Sequence, residues 1–210
     1  MTAMTSDLVL LFAELLRRAD LLRPGYVASL GKPQPETLRA ITRRIGSLPE
    51  LATTIYGAVA GTVRETERQE FFDFVPGLRL IHIQDLLERT AAVSRILGKS
   101  GAASRRTSAA YLPFLEDYSE HFVCLRLGAT PPSIVALGPE EEPEIICKDE
   151  QTYLRMLNAF YAERVYFVDA DRYLDYDFEK GGGDRATVQS RLDLLASRAA
   201  LAERINRDGR

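Results

Sequence analysis

Residues 122–161 read FVCLRLGATPPSIVALGPEEEPEIICKDEQTYLRMLNAFY, and this stretch decides the class of fold. It contains three short runs rich in apolar and β-branched residues, at 122–127, 133–137 and 144–147, separated by turns that contain Gly and Pro. Runs and turns of this kind predict antiparallel strands that form a meander. After them, apolar residues recur at helical spacing, so residues 149–161 are predicted to form an amphipathic helix.

Helical spacing also dominates the first 61 residues, which are predicted to form three helices. In the first helix, residues 8–19 carry the apolar face, and Ser6 can cap the first turn. The second helix begins at Pro35 and ends at Gly46, and the third follows Pro49. The helices therefore precede the sheet in the chain.

Two further strands are predicted between these helices and the meander, at residues 71–75 and 78–83, on either side of Pro76-Gly77. A helix is predicted over residues 84–97, and a last strand over residues 165–168. Strands and helices do not alternate as they do in a doubly wound nucleotide-binding sheet. The predicted class is therefore α+β, with N-terminal helices and a central antiparallel sheet on which helices pack.

We assign residues 1–170 to this α+β domain and residues 171–210 to an acidic and Gly-containing linker with a C-terminal helix. The linker includes Gly181-Gly182-Gly183, which has the backbone freedom of a joint. The helix behind it is rich in Arg and has a narrow apolar stripe, formed by Val188, Leu192, Leu195, Ala199 and Ala200. Such a helix either docks on its own domain or meets a partner.

The composition is that of an ordinary globular protein, with 46% hydrophobic and 27% charged residues. Cys124 and Cys147 lie in apolar runs, so we expect two reduced core cysteines. No secretory leader pattern opens the chain, and the apolar run at 8–16 contains Glu14 and is too short to span a bilayer. We therefore expect a cytoplasmic protein with no membrane partner.

Charge is unevenly distributed along the chain. The net charge is −3 overall, whereas residues 111–180 carry 15 Asp and Glu against 6 Lys and Arg, a net −9. An acidic segment disfavours nucleic acid as a ligand, because phosphate contacts need clustered cations, and it favours a partner with a basic surface. The alternative interpretation is a solvated acidic face that keeps the protein soluble.

The residues that could support catalysis or hold a metal do not form a convincing site. His82 fits a strand pattern, and the groups around His121 lack the spacing of a zinc site. The glycines at 181–183 lack the Lys-Ser/Thr of a phosphate loop, and the carboxylates at 169–177 alternate with bulky residues where a calcium loop needs a glycine turn. We therefore predict no enzymatic activity, no metal, no cofactor and no small-molecule substrate.

The acidic surface has aromatic neighbours, so carboxylates can attract a basic protein while tyrosines supply contact area. Such a surface can imitate the phosphates that a basic nucleic-acid enzyme receives. The predicted partner-binding residues are Glu140, Glu141, Glu142, Glu144, Asp149, Glu150, Tyr173 and Tyr176.

Several short patterns follow one another over roughly residues 33–168: GSLP at 46–49 with Ile55-Tyr56, an apolar strand leading into a helix at 80–87, YLPFLEDYSEHFVCL at 111–125, and IVAL at 134–137 before an acidic stretch and a helix. In this order the patterns resemble the SUKH superfamily of Smi/Knr-like domains. In the central pattern, Pro113, Phe114, Ser119 and the aromatic strand at 122–124 match the family. Glu120-His121 stands where Gly-Asp is usual.

The resemblance implies a compact α+β domain that binds other proteins. Bacterial members are typically immunity proteins that neutralise toxins, and fungal members resemble scaffolds that regulate cell-wall synthesis. Our leading hypothesis is an immunity protein for a cognate toxin, with a nuclease as the favoured class. The alternatives are a regulatory scaffold or adaptor, which recruits a partner through the domain or its C-terminal helix, and a hydrolase or metal-dependent enzyme that uses His121.

Overall fold

The computed structural model describes residues 6–63, 68–99, 110–139 and 142–181. Within these residues the elements are α1 (Asp7–Leu22), α2 (Tyr26–Ser29), α3 (Pro35–Ile45), α4 (Glu50–Ala58), a 3₁₀ turn (Gln69–Phe71), β1 (Arg79–Leu80), α5 (Leu86–Lys99), β2 (Tyr111–Glu116), β3 (Phe122–Arg126), β4 (Ile134–Leu137), β5 (Glu144–Cys147), α6 (Glu150–Ala162), β6 (Tyr166–Val168), β7 (Leu174–Tyr176) and α7 (Phe178–Gly181). The predicted α+β class is confirmed.

Five antiparallel strands form the central sheet in the order β1-β2-β3-β4-β5, so each strand pairs with its neighbours in the chain. The predicted meander of three strands is therefore confirmed as β3 to β5. Helix α5 packs against β2, and α6 packs against α1. β6 and β7 form a separate antiparallel pair that follows α6.

The three predicted N-terminal helices are confirmed as α1, α3 and α4. The backbone N–H of Leu8 donates to Ser6 Oγ over 3.2 Å, which is the predicted cap of α1. Helix α3 begins at Pro35 and ends before Gly46, whose φ of 97° places it in the left-handed region that terminates helices. The short helix α2 was not predicted.

The prediction of two strands at 71–75 and 78–83 is largely wrong, because only Arg79 and Leu80 form a strand there. The segment before them is irregular and buries Phe71, Phe74 and Val75. The buried Arg23 guanidinium donates to the backbone oxygens at positions 70 and 73, and Val75 pairs with Leu78 in an isolated bridge rather than with a longer strand. Aromatic composition predicted burial here but not backbone geometry.

Strand β2 was missed because its sequence lacks the usual strand signals. All six of its residues are buried, so polar and apolar side chains do not alternate, and Pro113 lies within it. The pairing register between β2 and β3 shifts between Pro113 and Leu115. A bulge is one of the few places in a sheet that accepts proline, because the ring nitrogen has no hydrogen to donate.

The segment after residue 170 carries defined structure. β6 pairs with β7 at Tyr166–Tyr176, Phe167–Asp175 and Val168–Leu174, so the hairpin runs through the residue where the sequence placed the end of the domain. Helix α7 follows directly. The predicted C-terminal helix, Gly182-Gly183, and Glu140 and Glu141 lie outside the described residues. In the described part of the chain, every helix is too short or too polar to cross a bilayer.

Candidate functional site

Two of the predicted partner-binding carboxylates serve as helix caps. The Glu150 side chain is buried, and its Oε1 accepts the backbone N–H of Leu51 over 2.9 Å at the start of α4. Burial raises the pKa of Glu150. Asp149 caps α6, where its carboxylate accepts the backbone N–H of Thr152 over 2.7 Å and the Thr152 hydroxyl over 2.8 Å. These contacts engage both carboxylates within the fold.

Glu142 and Glu144 are exposed, together with Ile145, which keeps 52% of its surface. We name these three residues the acidic edge, because β5 is the terminal strand of the sheet and pairs, within the described residues, with β4 alone. An edge strand with charged side chains presents a surface to other molecules while the charges discourage nonspecific strand pairing. Among the predicted partner-binding carboxylates that the structure describes, Glu142 and Glu144 are the exposed ones.

The two predicted tyrosines differ in their environment. Tyr176 is half-buried, and its ring contacts Phe160, Tyr166 and Phe178 at centroid distances of 5.9, 6.1 and 5.2 Å. Tyr173 is 45% exposed in the turn between β6 and β7. The acidic edge lies just before the start of α6, and the β6–β7 hairpin lies just after the end of α6. Helix α6 is about 20 Å long at roughly 1.5 Å per residue. The predicted site therefore falls into separate parts.

Tyr118 is an exposed aromatic residue that the sequence prediction did not name. It lies in the turn between β2 and β3 and is 69% exposed. The turn is fixed by Asp117, whose Oδ1 accepts the backbone N–H groups of Ser119 and His121 over 2.6 and 2.9 Å. The signal in the sequence was the Asp117–His121 turn itself, since tight turns at strand ends expose their central side chains.

Tyr118 and Tyr173 lie in different hairpins. Burial raises the pKa of Tyr118, the charges of Asp73, Glu116 and Tyr173 raise it further, and the Arg79 guanidinium lowers it, so these groups lie within electrostatic range of Tyr118. The Arg79 guanidinium sits 5.4 Å from the Tyr118 ring centroid. We name Tyr118, Tyr173, Arg79 and Arg172 the tyrosine surface.

Buried carboxylates anchor the arginines of the tyrosine surface. Glu70 is 4% exposed and forms ion pairs with Arg68, over 2.6 Å, and with Arg172. Burial alone would raise the pKa of Glu70, but hydrogen bonds from its own backbone N–H and from the two guanidinium groups outweigh it and bring the pKa to about 2. The Arg172 side chain nevertheless stays 66% exposed.

The second anchor is Glu116, which is 5% exposed and lies between two arginines. Arg79 donates to its Oε1 over 2.7 Å, and Arg89 forms an ion pair with its Oε2 over 2.8 Å. A buried carboxylate held on both sides restricts the rotamers of its partners. Arg79 is therefore fixed beneath Tyr118.

Arg23 holds the irregular segment that carries Glu70. Its side chain is fully buried, and its guanidinium donates to the carbonyl oxygens of Glu70 and Asp73 over 3.0 and 2.5 Å and to the Tyr161 hydroxyl over 2.7 Å. It also lies 3.7 Å from the Tyr26 ring centroid. One side chain thus links α1, α2, the irregular segment and α6 beneath the tyrosine surface.

His121 and the two cysteines, which are the residues most able to support catalysis or hold a metal, have contacts that serve the fold. His121 Nδ1 lies 3.0 Å from Asp117 Oδ2, on the same carboxylate that fixes the turn. No group of three or more His, Cys, Asp and Glu side chains in the described ranges is arranged to hold a metal ion. Cys124 and Cys147 are free and buried, as expected. Burial, with the nearby Asp149 charge, raises the pKa of Cys147 to about 12, and burial raises the pKa of Cys124 as well.

The chain matches no protein-family model and has no significant match among curated proteins. The resemblance to the SUKH superfamily stays a prediction that rests on the order of its short sequence patterns.

Proposed function

We propose that this chain is a non-enzymatic domain that binds another protein. The observation that carries the proposal is the tyrosine surface, where two exposed tyrosines from separate hairpins stand beside arginines. Tyr and Arg dominate the energetics of protein interfaces, because they supply large contact area and several hydrogen bonds per side chain. Ion pairs to buried carboxylates hold the arginines in place, which lowers the entropy lost on binding.

The more specific proposal is a cytoplasmic immunity protein that binds and neutralises a bacterial toxin with a basic surface, of which a nuclease is the favoured class. The SUKH-like sequence patterns support this role. The exposed carboxylates of the acidic edge support a partner whose surface is positively charged. Exposed carboxylates raise the rate of encounter with a basic protein over distances longer than direct contact. In this proposal the acidic edge steers the toxin and the tyrosine surface anchors it.

The test begins with the neighbouring genes: where one of them encodes a toxin domain, the full chain is coexpressed with that domain. We expect growth to be restored, the two purified proteins to form a stoichiometric complex, and the affinity to fall as salt rises. Growth inhibition that persists despite a folded, abundant chain would contradict the immunity role. Toxin that is consumed by turnover, rather than held in a complex, would contradict the non-enzymatic role.

Deleting residues 181–210 distinguishes the adaptor alternative from the immunity role. Neutralisation carried by the domain should survive the deletion, because the tyrosine surface and the acidic edge lie before these residues. Loss of neutralisation by a truncated chain that still folds would move the interaction to the C-terminal segment.

A further inference from the structure

Phe178 is the outer end of an aromatic cluster that begins in the core. Tyr161 contacts Tyr166, and Tyr166 and Phe160 both contact Tyr176, with centroid distances between 5.1 and 6.1 Å. Tyr176 in turn contacts Phe178 edge to face at 5.2 Å. Phe178 keeps 66% of its surface exposed, although the rings behind it are buried or half-buried. Phe178 therefore continues the aromatic cluster of the core to the outside of the domain.

After Phe178, the backbone passes beside Tyr176 of the same aromatic cluster. Gly181 is buried, and a Cβ added to it would lie 1.8 Å from the Tyr176 hydroxyl oxygen, so a larger residue there would require the Tyr176 ring to move. Two exposed carboxylates, Asp175 and Glu179, flank Phe178 in the chain. Asp177 forms an ion pair with Lys180 over 2.7 Å. The surroundings of Phe178 are thus apolar at the centre and acidic at the border.

The segment that follows has matching chemistry. Residues 184–206 are predicted from the sequence to form an amphipathic helix with apolar positions at Val188, Leu192, Leu195 and Ala199. Arg191 and Arg198 are seven residues apart, and each directly precedes a stripe residue, so both border the stripe on the same side. An apolar stripe with a cationic border fits an apolar surface with an acidic border.

We propose that residues 184–206 dock on the Phe178 surface of the same chain. The tether between Gly181 and residue 184 is two glycines, and a short tether gives an effective concentration in the millimolar range, far above that of a second molecule. The same packing stabilises the segment, since an isolated helix of this length is marginal in water. The inference is independent of the proposed toxin partner, and it assigns the C-terminal segment to the domain rather than to recruitment.

The absence of tryptophan from the chain makes a clean experiment possible. Phe178→Trp in the full-length chain places a single indole on the surface in question. We expect its emission to lie at the shorter wavelengths of a shielded indole and to resist quenching by acrylamide. Adding Leu192→Asp and Leu195→Asp should shift the emission to longer wavelength and increase quenching, because both changes place charge on the apolar stripe.

The matched control carries Ser190→Asp and Ser197→Asp, which add the same charge on the opposite face of the predicted helix. This control should leave the emission unchanged, and far-ultraviolet circular dichroism of each variant should report the same folded domain. Emission typical of an exposed indole in the Phe178→Trp chain, or an equal response to both pairs of changes, would overturn the proposal. Shielding that varies with protein concentration would place the segment of a second molecule there, and would also overturn it.

Discussion

Tyr118 and Tyr173 derive their proposed role from position rather than from residue type, because other tyrosines of the chain are buried. Tyr26, Tyr56, Tyr153 and Tyr166 fill the core. Tyr118 and Tyr173 instead occupy hairpin turns and are 69% and 45% exposed. Exposed rings on fixed turns are suited to anchoring a partner at low entropic cost.

We predict that Tyr118→Ala and Tyr173→Ala each weaken binding to the partner by about 2 kcal/mol, a typical value for an aromatic anchor. Isothermal titration calorimetry measures the change, and thermal unfolding should show little loss of stability because both rings are exposed. Leu10→Ala removes a side chain that is 57% exposed on α1 and serves as the control. A loss of affinity for the tyrosine variants no larger than for Leu10→Ala would refute the anchoring role.

Glu70 is expected to make the stability of the domain depend on pH in the acid range. Its pKa falls from 4.5 to about 2 in the folded chain, so its contribution is fully present above pH 4.5 and is lost as pH falls toward 2. Glu14 shifts in the same direction, so the comparison must be between variants. Urea unfolding of Glu70→Gln should show a weaker loss of stability from pH 5 to pH 2 than the parent chain. Parallel pH profiles for the two proteins would contradict the pairing of Glu70 with Arg68 and Arg172.

At the scale of elements, two strands escaped the sequence patterns for different reasons. β2 is buried along its whole length, and its proline sits at a bulge. β7 lies among acidic residues that suggested a linker, yet Leu174 is buried and pairs with Val168. Alternation of polar and apolar residues reports a strand only when one face is exposed. The helices were predicted better because caps and periodicity are local properties.

Glu150 tests whether a predicted partner-binding residue is instead a structural part of helix α4. We expect Glu150→Ala to destabilise the domain by about 1–2 kcal/mol, because the Leu51 N–H loses its acceptor in a buried position. Glu150→Gln keeps an oxygen acceptor and should retain most of the stability. The exposed neighbour provides the control Gln151→Ala, which should have little effect on unfolding by urea. A loss of partner affinity in a Glu150→Gln variant that still folds would show that Glu150 contacts the partner.

At the scale of the whole molecule, the residues that would attract a partner by charge differ from the residues that would pack against it. Residues 111–180 carry a net −9, yet arginines with largely buried carboxylate partners border the exposed tyrosines. Long-range attraction depends on net charge within a Debye length, about 10 Å at 0.1 M salt, whereas anchoring depends on local packing. The acidic edge and the tyrosine surface can therefore be tested separately.

Reversing the charge of the acidic edge should slow association without removing the anchor. We predict that Glu142→Lys with Glu144→Lys lowers the association rate with a basic partner roughly tenfold at low salt, and that the difference shrinks at high salt. Stopped-flow measurements over a range of salt concentrations report both effects. The control, Glu88→Lys with Glu163→Lys, changes the net charge equally at exposed positions elsewhere. Equal slowing by both pairs would show that only net charge matters and that the edge has no special position.

The sequence by itself determined the α+β class, the three N-terminal helices, the meander and the fate of both cysteines. These features follow from local periodicity, caps and turn residues, which act over a few positions of the chain. Only the tertiary structure decided which acidic and aromatic residues share a surface. Glu150 finds its partner 99 residues away at the start of α4, and Arg172 pairs with Glu70, which lies 102 residues away. Contacts between distant segments depend on how whole elements pack, and short sequence patterns do not encode that packing.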